Sequence, residues 1–308
     1  MKICVIGGNG QIGNYLLPML IQEGHEVFSV NRGKTRCYRD CPEFAQVREV
    51  RLDRSSADFD KEVASLGCDV IVDMICFTEA ELTRLVREIR GTVSHYLVIG
   101  SMWIHGTGDA VPVREEECRE PMDEYGRNKL AISETIRRLW QQEGFPGTVI
   151  HPGHIIAPGH SLMIGPQGNR DMEIVRKLRD GETVLLPNFG LETVHHVHAE
   201  DVAGILLAAI HNRDAALGEE FHAVSERAVT LRGFCRMVAG FYGQTAHLEY
   251  LPYEEFARTI REEDAKETYE HISHSPSGSP EKTTRVLGYR TRSTEQTVRE
   301  HLEALGWL

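Results

Sequence analysis

Apolar residues recur along the first half of this chain in two alternating patterns. Six short apolar runs, each of strand length, occupy residues 3–6, 27–30, 47–52, 69–73, 96–99 and 148–150. The intervals between most of them carry apolar residues at helical spacing, over residues 12–23, 55–66, 79–90 and 123–143. This alternation predicts an α/β fold in which helices cover both faces of a parallel sheet.

Helix boundaries are marked by residues that cap or break helices. Gly24 is expected to end the first helix. Ser55 or Ser56 is expected to cap the second helix. Thr78 and Glu81 have the spacing of a capping box and predict the start of the third helix.

The sequence changes character after residues 151–153, where glycine and proline become frequent. Helices are predicted over 171–180, 199–210 and 231–242, a strand over 184–186, and a last helix capped by Ser293 and Gln296. The Ser- and Pro-rich segment 263–282 is predicted to be loop-like or mobile. We therefore expect a first domain over 1–155, with a returning segment near 192–212, and a smaller α/β domain over 156–308.

Composition limits the classes of partner. The chain has 308 residues, 41% hydrophobic content and a formal net charge of -12. This excess of acidic residues disfavours nucleic acids and anionic membranes as main partners, because both attract clustered cations. No apolar run approaches the roughly 18 residues of a membrane span, and the N-terminus does not resemble a signal peptide. Seven scattered cysteines predict reduced thiols in a cytoplasmic protein.

The first predicted strand runs into three glycines, Gly7, Gly10 and Gly13, spaced three residues apart. Small residues let a backbone approach a pyrophosphate, and a helix N-terminus supplies free N–H groups and a partial positive charge. Gln11 and Ile12 lie between the last two glycines, at the predicted helix start. A strand, a glycine turn and a helix in this order predict a dinucleotide site.

A second set of residues has the chemistry for proton transfer. Ser101 follows the fifth strand, and Tyr125 and Lys129 are four residues apart on one face of the long helix. A nearby ammonium is expected to lower the pKa of a phenol from about 10. We predict that Tyr125 exchanges a proton with a carbinol oxygen that Ser101 holds by a hydrogen bond.

Together these motifs resemble the extended short-chain dehydrogenase/reductase superfamily, of the NAD-dependent epimerase/dehydratase type, over most of the chain. The glycines match its glycine motif, and Tyr125 with Lys129 matches its catalytic pair. Residues 101–106 are similar to its Ser-x-x-Val-Tyr-Gly segment, 151–159 to Arg-Pro-x-Asn-Val-Tyr-Gly-Pro-Gly, and 197–203 to His-Val-x-Asp-Val-Ala. Residues 6–8 and 30–34 look most like the atypical branch that includes chloroplast stem-loop-binding proteins.

The resemblance implies a Rossmann-type doubly wound parallel sheet that binds NAD or NADP, with a C-terminal domain that binds a small-molecule substrate. In the family, the nicotinamide exchanges hydride with a sugar carbon, Ser and Tyr polarise that carbon's oxygen, and Lys holds the nicotinamide ribose. Here these roles fall to Ser101, Tyr125 and Lys129. The resemblance also implies a homodimer paired through the helices that correspond to residues 79–90 and 123–143.

The end of the second strand departs from the family pattern. Asn31 and Arg32 stand where NAD-preferring members carry an Asp that binds the ribose 2′-OH. A neutral residue removes repulsion and Arg can pair with a 2′-phosphate, so we expect NADP rather than NAD. The alternative is that Arg32 lies in a solvated loop and stacks on adenine. Asp53 matches the family residue that lies near adenine. The alternative is that Asp53 only caps a loop.

Two further departures concern the substrate. Met102 and Trp103 stand where sugar dehydratases of the family carry Asp-Glu, and neither can transfer a proton, which argues against dehydration by that mechanism. His154 replaces the family Asn that faces the substrate, which puts the usual nucleotide-sugar substrate in doubt. His154 is either an additional acid or base or a packed or surface residue.

His195, His196 and His198 are of a residue type that binds metals, and strand alternation places His196 and His198 on one side. The sequence fixes no Cys or carboxylate partner for them. We therefore expect strand residues near the domain junction and no metal.

These observations predict an NAD(P)-dependent epimerase or oxidoreductase that acts on a sugar or sugar-derived hydroxyl or keto substrate. Two alternatives stay open: a carbonyl reductase or dehydrogenase for a non-sugar small molecule, and a non-catalytic Rossmann protein that binds NAD(P) or RNA. The complete set of Ser101, Tyr125 and Lys129 argues against the last.

Overall fold

A seven-stranded parallel sheet forms the centre of the molecule, whose computed structural model describes residues 1–158 and 172–308. The strands are, in chain order, β1 (Lys2–Ile6), β2 (Glu26–Asn31), β3 (Arg48–Arg51), β4 (Val70–Asp73), β5 (His95–Ile99), β6 (Gly147–Pro152), β7 (His154–Ile156), β8 (Thr183–Pro187), β9 (Thr193–Val194), β10 (His196–His198), β11 (Glu220–Ala223), β12 (Val229–Thr230) and β13 (His247–Leu251). The order across the sheet is β11-β6-β5-β4-β1-β2-β3, with every neighbouring pair parallel. The predicted Rossmann-type architecture is confirmed.

Helices cover both faces of this sheet. The helices of the described residues are, in chain order, α1 (Gly13–Gln22), α2 (Phe59–Ser65), α3 (Glu79–Ile89), α4 (Glu124–Glu143), α5 (Glu173–Asp180), α6 (Ala199–His211), α7 (Arg213–Ala216), α8 (Leu231–Phe241), α9 (Tyr253–Phe256), α10 (Glu262–His274) and α11 (Thr294–Ala304). Side chains alternate along each strand, so Ile3 and Val5 pack towards α1 and α6, whereas Cys4 and Ile6 pack towards α2, α3 and α4. The sheet is therefore buried on both sides.

The seventh strand, β11, was not predicted from the sequence. Its sequence is Glu220-Phe221-His222-Ala223. Because two of these four residues are polar, the strand does not form an apolar run. All four residues are buried, because β11 pairs with β6 at the edge of the sheet. The domain boundary at residue 155 stays a prediction. The central sheet also includes β11, which ends at Ala223.

Three small sheets and the later helices build the second half of the chain. β7 pairs with β10 and β8 with β13 in parallel, and β9 pairs with β12 antiparallel. Helices α5, α8 and α11 share one apolar core with β8, centred on Val184, Phe234 and Leu302. The predicted helix start at Asp171 lies outside the described residues, and the described helix α5 begins at Glu173.

The prediction of a loop over 263–282 is wrong for its first half, which forms α10. Ala265, Thr268 and Ile272 lie on one buried face of this helix, and Ser275 with a φ of +38° ends it. The helix contains few apolar residues, and charged and hydroxyl side chains lie between them. A helical spacing of apolar residues is therefore not apparent in its sequence. The loop that follows is held in place, since Gly278 N–H donates to His195 Nδ1 at 3.1 Å.

Helix α2 starts later than predicted. It begins at Phe59, so neither Ser55 nor Ser56 is its cap. Ser55 instead donates its backbone N–H and its hydroxyl to Asp53 Oδ1, at 3.0 and 2.7 Å. The capping boxes predicted at Thr78 and Ser293 are confirmed. Within the described ranges, no helix is both long and apolar enough to cross a membrane.

Phe221 tests whether β11 belongs to the folded core. Its side chain is fully buried, so Phe221→Ala should lower the free energy of unfolding by about 3–5 kcal/mol through the cavity that it leaves. Phe189→Ala is the matched control, because Phe189 is 74% exposed and its loss should change stability by no more than about 0.5 kcal/mol. Urea unfolding followed by circular dichroism measures both, and equal effects would contradict the placement of β11.

Candidate active site

The turn between β1 and α1 leaves no room for side chains. Gly7 has a φ of +85°, and its N–H donates to the Val30 carbonyl at 2.8 Å. A Cβ on Gly13 would lie 1.9 Å from the Gly8 carbonyl oxygen, and one on Gly10 would lie 3.3 Å from the Gly7 carbonyl oxygen. This bare backbone fits a pyrophosphate, because the anion can approach the N-terminus of α1 without hindrance.

A cavity of about 400 Å³ opens beside this turn, at the carboxyl ends of β2 and β3. Five of the residues predicted to bind the cofactor line this cavity: Gly7, Gly10, Asn31, Arg32 and Asp53. The position beyond the strand ends and next to the glycine turn suits the adenosine half of a dinucleotide.

Asn31 shapes the loop that follows β2. Its Oδ1 accepts a hydrogen bond from the N–H of Gly33 at 2.7 Å, and its Nδ2 lies 3.3 Å from Ser29 Oγ. Arg32 and Lys34 are exposed residues of the loop that this turn creates, and both border the cavity. The loop therefore presents two cations to this cavity.

Asp53 faces these cations across the cavity. Its pKa is lowered mainly by hydrogen bonds from Ser55 and further by the charges of Arg32 and Lys34. An ionised Asp53 can accept hydrogen bonds from a ribose or an adenine amino group, and its bonds to Ser55 also fit the loop-cap alternative.

A second cleft, of about 500 Å³, begins at Gln11 and Ile12 and continues past the ends of β5 and β6. Its wall contains the three residues predicted to act on the substrate, Ser101, Tyr125 and Lys129. Phe77 borders both cavities, so an extended dinucleotide fits along the two of them. The residues that line the two cavities fit NAD(P).

Ser101 is buried and held at two atoms. Its N–H donates to His151 Nδ1 at 3.1 Å, and its Oγ accepts from the N–H of Trp103 at 3.2 Å. The Ser101 side chain also lies near enough to the Tyr125 hydroxyl to lower the pKa of Tyr125 in part. The two hydroxyl groups therefore meet in the cleft, where both can contact one substrate oxygen.

Lys129 lies one helical turn after Tyr125 and is 1% exposed. Its Nζ donates to the carbonyl oxygens of Cys76, at 2.8 Å, and Ile99, at 2.7 Å. An ammonium has three protons, so one donor remains for a ligand in the cleft that Lys129 lines. Burial is the main cause that lowers the pKa of Lys129 to about 8.

The expected lowering of the Tyr125 pKa by Lys129 is wrong for this structure. Burial raises the pKa of Tyr125, the hydrogen bond with Ser101 lowers it in part, and the charge of Asp123 raises it further. The Lys129 ammonium lies 5.7 Å from the centroid of the Tyr125 ring and is bound to two carbonyl oxygens. It therefore does little for the phenolate, and Tyr125 is a protonated phenol at neutral pH.

Aromatic rings form the wall opposite Lys129. Trp103 stacks on His274 with ring centroids 4.0 Å apart, and His271 lies 5.4 Å from both Trp103 and His154. His271 Nδ1 bonds to the Glu267 carbonyl at 2.8 Å, so the neutral ring keeps Nε2 as an acceptor. Burial lowers the pKa of His271, which keeps the ring neutral at pH 7.

His271 and His274 were missed from the sequence because both lie on α10, in the segment predicted to be a loop. The spacing of Ala265, Thr268 and Ile272 fits one face of a helix and could have predicted α10. These three residues form part of the buried face of the helix. His154 lines the cleft, as its match to the family's substrate residue implied. Among the described residues that line the cleft, none is Asp, Glu or Arg.

The three histidines before α6 make separate contacts. His195 Nε2 bonds to the Ser225 carbonyl at 2.8 Å, the His196 ring stacks near Phe234, and His198 Nδ1 caps α6 by accepting from Glu200 N–H at 3.0 Å. Over residues 1–158 and 172–308, no group of three or more His, Cys, Asp or Glu side chains is placed to hold a metal ion.

Two curated proteins are similar to this chain over most of its length. The 2′-dehydrokanamycin reductase of Streptomyces kanamyceticus is 28% identical over 267 residues, which cover 86% of this chain and 73% of that protein. The chloroplast stem-loop binding protein of 41 kDa b from Arabidopsis thaliana is 27% identical over 304 residues, which cover 94% of this chain and 75% of that protein.

Solved structures share the fold. The crystal structure of a putative epimerase from Burkholderia cenocepacia J2315 superimposes with a TM-score of 0.77 at 22% identity, over 99% of this chain and 97% of that one. The family model described as NAD dependent epimerase/dehydratase family matches residues 3–223, which is more than half of the sequence. The chain therefore belongs to the NAD dependent epimerase/dehydratase family and is an NAD(P)-dependent enzyme.

Proposed function

We propose that this enzyme interconverts a secondary alcohol and a ketone on a sugar or sugar-derived substrate. The observation that carries the proposal is that Ser101, Tyr125 and Lys129 line one cleft, which continues from the glycine turn. When bound, the nicotinamide cofactor supplies a hydride to the carbonyl carbon or accepts one from the carbinol carbon.

Ser101 and Tyr125 act on the substrate oxygen. Ser101 holds it by a hydrogen bond, and Tyr125 gives its proton to that oxygen during reduction or takes one during oxidation. A phenol with its ordinary pKa of about 10 is already protonated at neutral pH. Partial burial raises the pKa of Tyr125 further, which suits proton donation to a developing alkoxide. Lys129 offers its remaining donor to the ribose of the cofactor.

Reduction of a ketone is the direction that we favour. One similar curated protein is named a 2′-dehydrokanamycin reductase, which supports it. Epimerisation is the second candidate, since the family takes its name in part from epimerases. In that reaction Tyr125 first removes the hydroxyl proton and later returns it, with no net change in the cofactor.

We also propose that the substrate carries no diphosphate. Pyrophosphate groups are bound by arginines, lysines or helix N-termini, and Lys129 is the one cation among the described residues that line the cleft. The rings of Trp103, His154 and His271 instead offer flat apolar faces and hydrogen-bonding nitrogens, which suit the faces and hydroxyl groups of a sugar. A glycoside ketone fits these walls.

NADP is the cofactor that the loop after β2 favours. Arg32 and Lys34 place two cations at the adenosine cavity, and Asn31 adds no negative charge. We further propose a cytoplasmic homodimer paired through α3 and α4, as the resemblance implied, and keep the first domain boundary near residue 155.

RNA binding is the alternative that the name of the chloroplast relative raises. The formal net charge of -12 opposes it. RNA affinity that falls with salt, together with no turnover of any ketone, would favour this alternative over an enzyme.

Tyr125→Phe tests the proton donor. We expect kcat to fall about a hundredfold to ten-thousandfold, because the ring stays in place and the proton is lost. Tyr250→Phe is the matched control, since Tyr125 and Tyr250 are both 40% exposed and Tyr250 lies on β13, away from the cleft. Initial rates of NADPH oxidation with a panel of keto-sugars measure both variants. Full activity of Tyr125→Phe would show that the proposed chemistry is wrong.

The same assay separates the two candidate reactions. A reductase consumes one NADPH for each ketone, whereas an epimerase changes the absorbance of a tightly held cofactor only transiently. Nucleotide-sugars in the panel test the substrate proposal, and turnover of a UDP-sugar in preference to glycosides would contradict it.

Arg32→Ala tests the preference for NADP. Loss of a charge-assisted bond of about 1.5–3 kcal/mol should raise the KM for NADPH roughly tenfold to a hundredfold and leave the KM for NADH unchanged. Arg36→Ala is the control, because Arg36 is exposed in the same loop but does not border the cavity. An equal rise for both cofactors would favour stacking of Arg32 on adenine.

The depressed pKa of Lys129 predicts a pH dependence of cofactor binding. Above a pH of about 8 the folded protein loses the Lys129 charge and one donor, so the Kd for NADPH should rise as the pH increases through that value. Fluorescence titration between neutral and mildly alkaline pH measures the break. The Lys129→Met variant should bind NADPH weakly at every pH and show no such break. A break that persists in this variant would mean that another group titrates there.

A further inference from the structure

A buried series of polar groups leads away from Ser101, on the side opposite the cleft. His151 lies in β6 and is 0% exposed. Its Nδ1 accepts the Ser101 N–H at 3.1 Å, and its Nε2 lies 3.0 Å from Glu220 Oε2. Because Nδ1 is the acceptor, the ring proton is on Nε2 and is donated to Glu220.

Glu220 is fixed in turn by two arginines. Arg119 contacts its carboxylate at 3.1 and 3.3 Å, and Arg137 at 2.6 Å. Burial raises the pKa of Glu220, but the hydrogen bond from His151 and the charge of Arg119 outweigh this and lower it well below its usual range. The carboxylate is therefore ionised, and it holds His151 in the tautomer that accepts from Ser101.

The turn after β5 rests directly on the His151 ring. A Cβ on Gly100 would lie 2.2 Å from His151 Nδ1, so only glycine lets the backbone lie this close. Ser101 is thus held through its N–H from behind and through its Oγ by the Trp103 N–H. Loss of the acceptor would leave a buried N–H unpaired, which the turn can relieve only by moving Ser101.

We propose that His151 is a positioning residue for this reaction and orients Ser101 towards the substrate oxygen through the backbone amide. The resembling family motif has Arg at this place, and a guanidinium has donors only, so it cannot accept the Ser101 N–H. A member with Arg at this place therefore cannot make the same bond. The inference rests on the proposed function, in which Ser101 contacts the substrate.

Two substitutions separate the two bonds of His151. In His151→Asn, Oδ1 takes the place of Nδ1 and can still accept from Ser101, but the donor to Glu220 is lost. In His151→Gln, Nε2 can still donate to Glu220, but nothing takes the place of Nδ1. We expect kcat of His151→Gln to fall about tenfold to a hundredfold with little change in KM for the cofactor, and His151→Asn to keep most of the wild-type kcat.

Stability should follow the opposite order. Glu220 keeps its partner in His151→Gln, so this variant should resist urea better than His151→Asn, which leaves a buried carboxylate with one bond fewer. If kcat follows stability, with Gln above Asn, His151 is only structural and the inference is wrong. If neither substitution alters kcat, the inference is also wrong. Tyr125→Phe is assayed alongside to distinguish failure of this inference from failure of the proposed function. Full activity of Tyr125→Phe would show that the proposed function is wrong, whatever the His151 variants do.

Discussion

The buried ammonium of Lys129 is the group on which the geometry of the cleft depends. It joins α4 to the loop after β4 through the Cys76 carbonyl and to the end of β5 through the Ile99 carbonyl. Removing a charge from water costs several kcal/mol, and the lowered pKa of Lys129 shows that its partners offset this cost only in part. Because α4 is fixed at this point, Tyr125 one turn earlier is held beside Ser101. A helix displaced by one residue would lose both contacts.

Polar groups are divided between the two sides of Ser101. On the side of the cleft the described walls carry rings, hydroxyl groups and one cation, and the carboxylates that a dehydratase of this family uses are replaced by Met102 and Trp103. On the far side, Glu220 and two arginines act on the backbone through His151. The charged groups of this region thus lie behind the backbone of Ser101, while Tyr125, the proposed proton donor, lines the cleft. A cleft of this kind is suited to simple transfer of hydride and a proton.

Residues with a local pattern could be predicted, and residues placed by distant parts of the chain could not. The apolar runs and the glycines gave the six predicted strands of the sheet, and the spacing of Tyr125 and Lys129 placed both on one wall of the cleft. β11 was missed because Glu220 and His222 are buried only through partners far along the chain. His271 was missed because the buried face of α10 consists of small and polar residues apart from Ile272. The raised pKa of Tyr125 was beyond prediction, because it depends on burial and on where the Lys129 ammonium is bound.

The late position of β11 in the chain has a consequence for biosynthesis. Six of the seven strands of the sheet are translated by residue 152, but β11, at residues 220–223, covers the open edge of β6. Until those residues leave the ribosome, β6 presents unpaired N–H and C=O groups that can pair with another chain. His151 also lacks its carboxylate partner during this interval. The nascent nucleotide-binding half can therefore take shape early, but the support behind Ser101 is completed only after β11 has been synthesised.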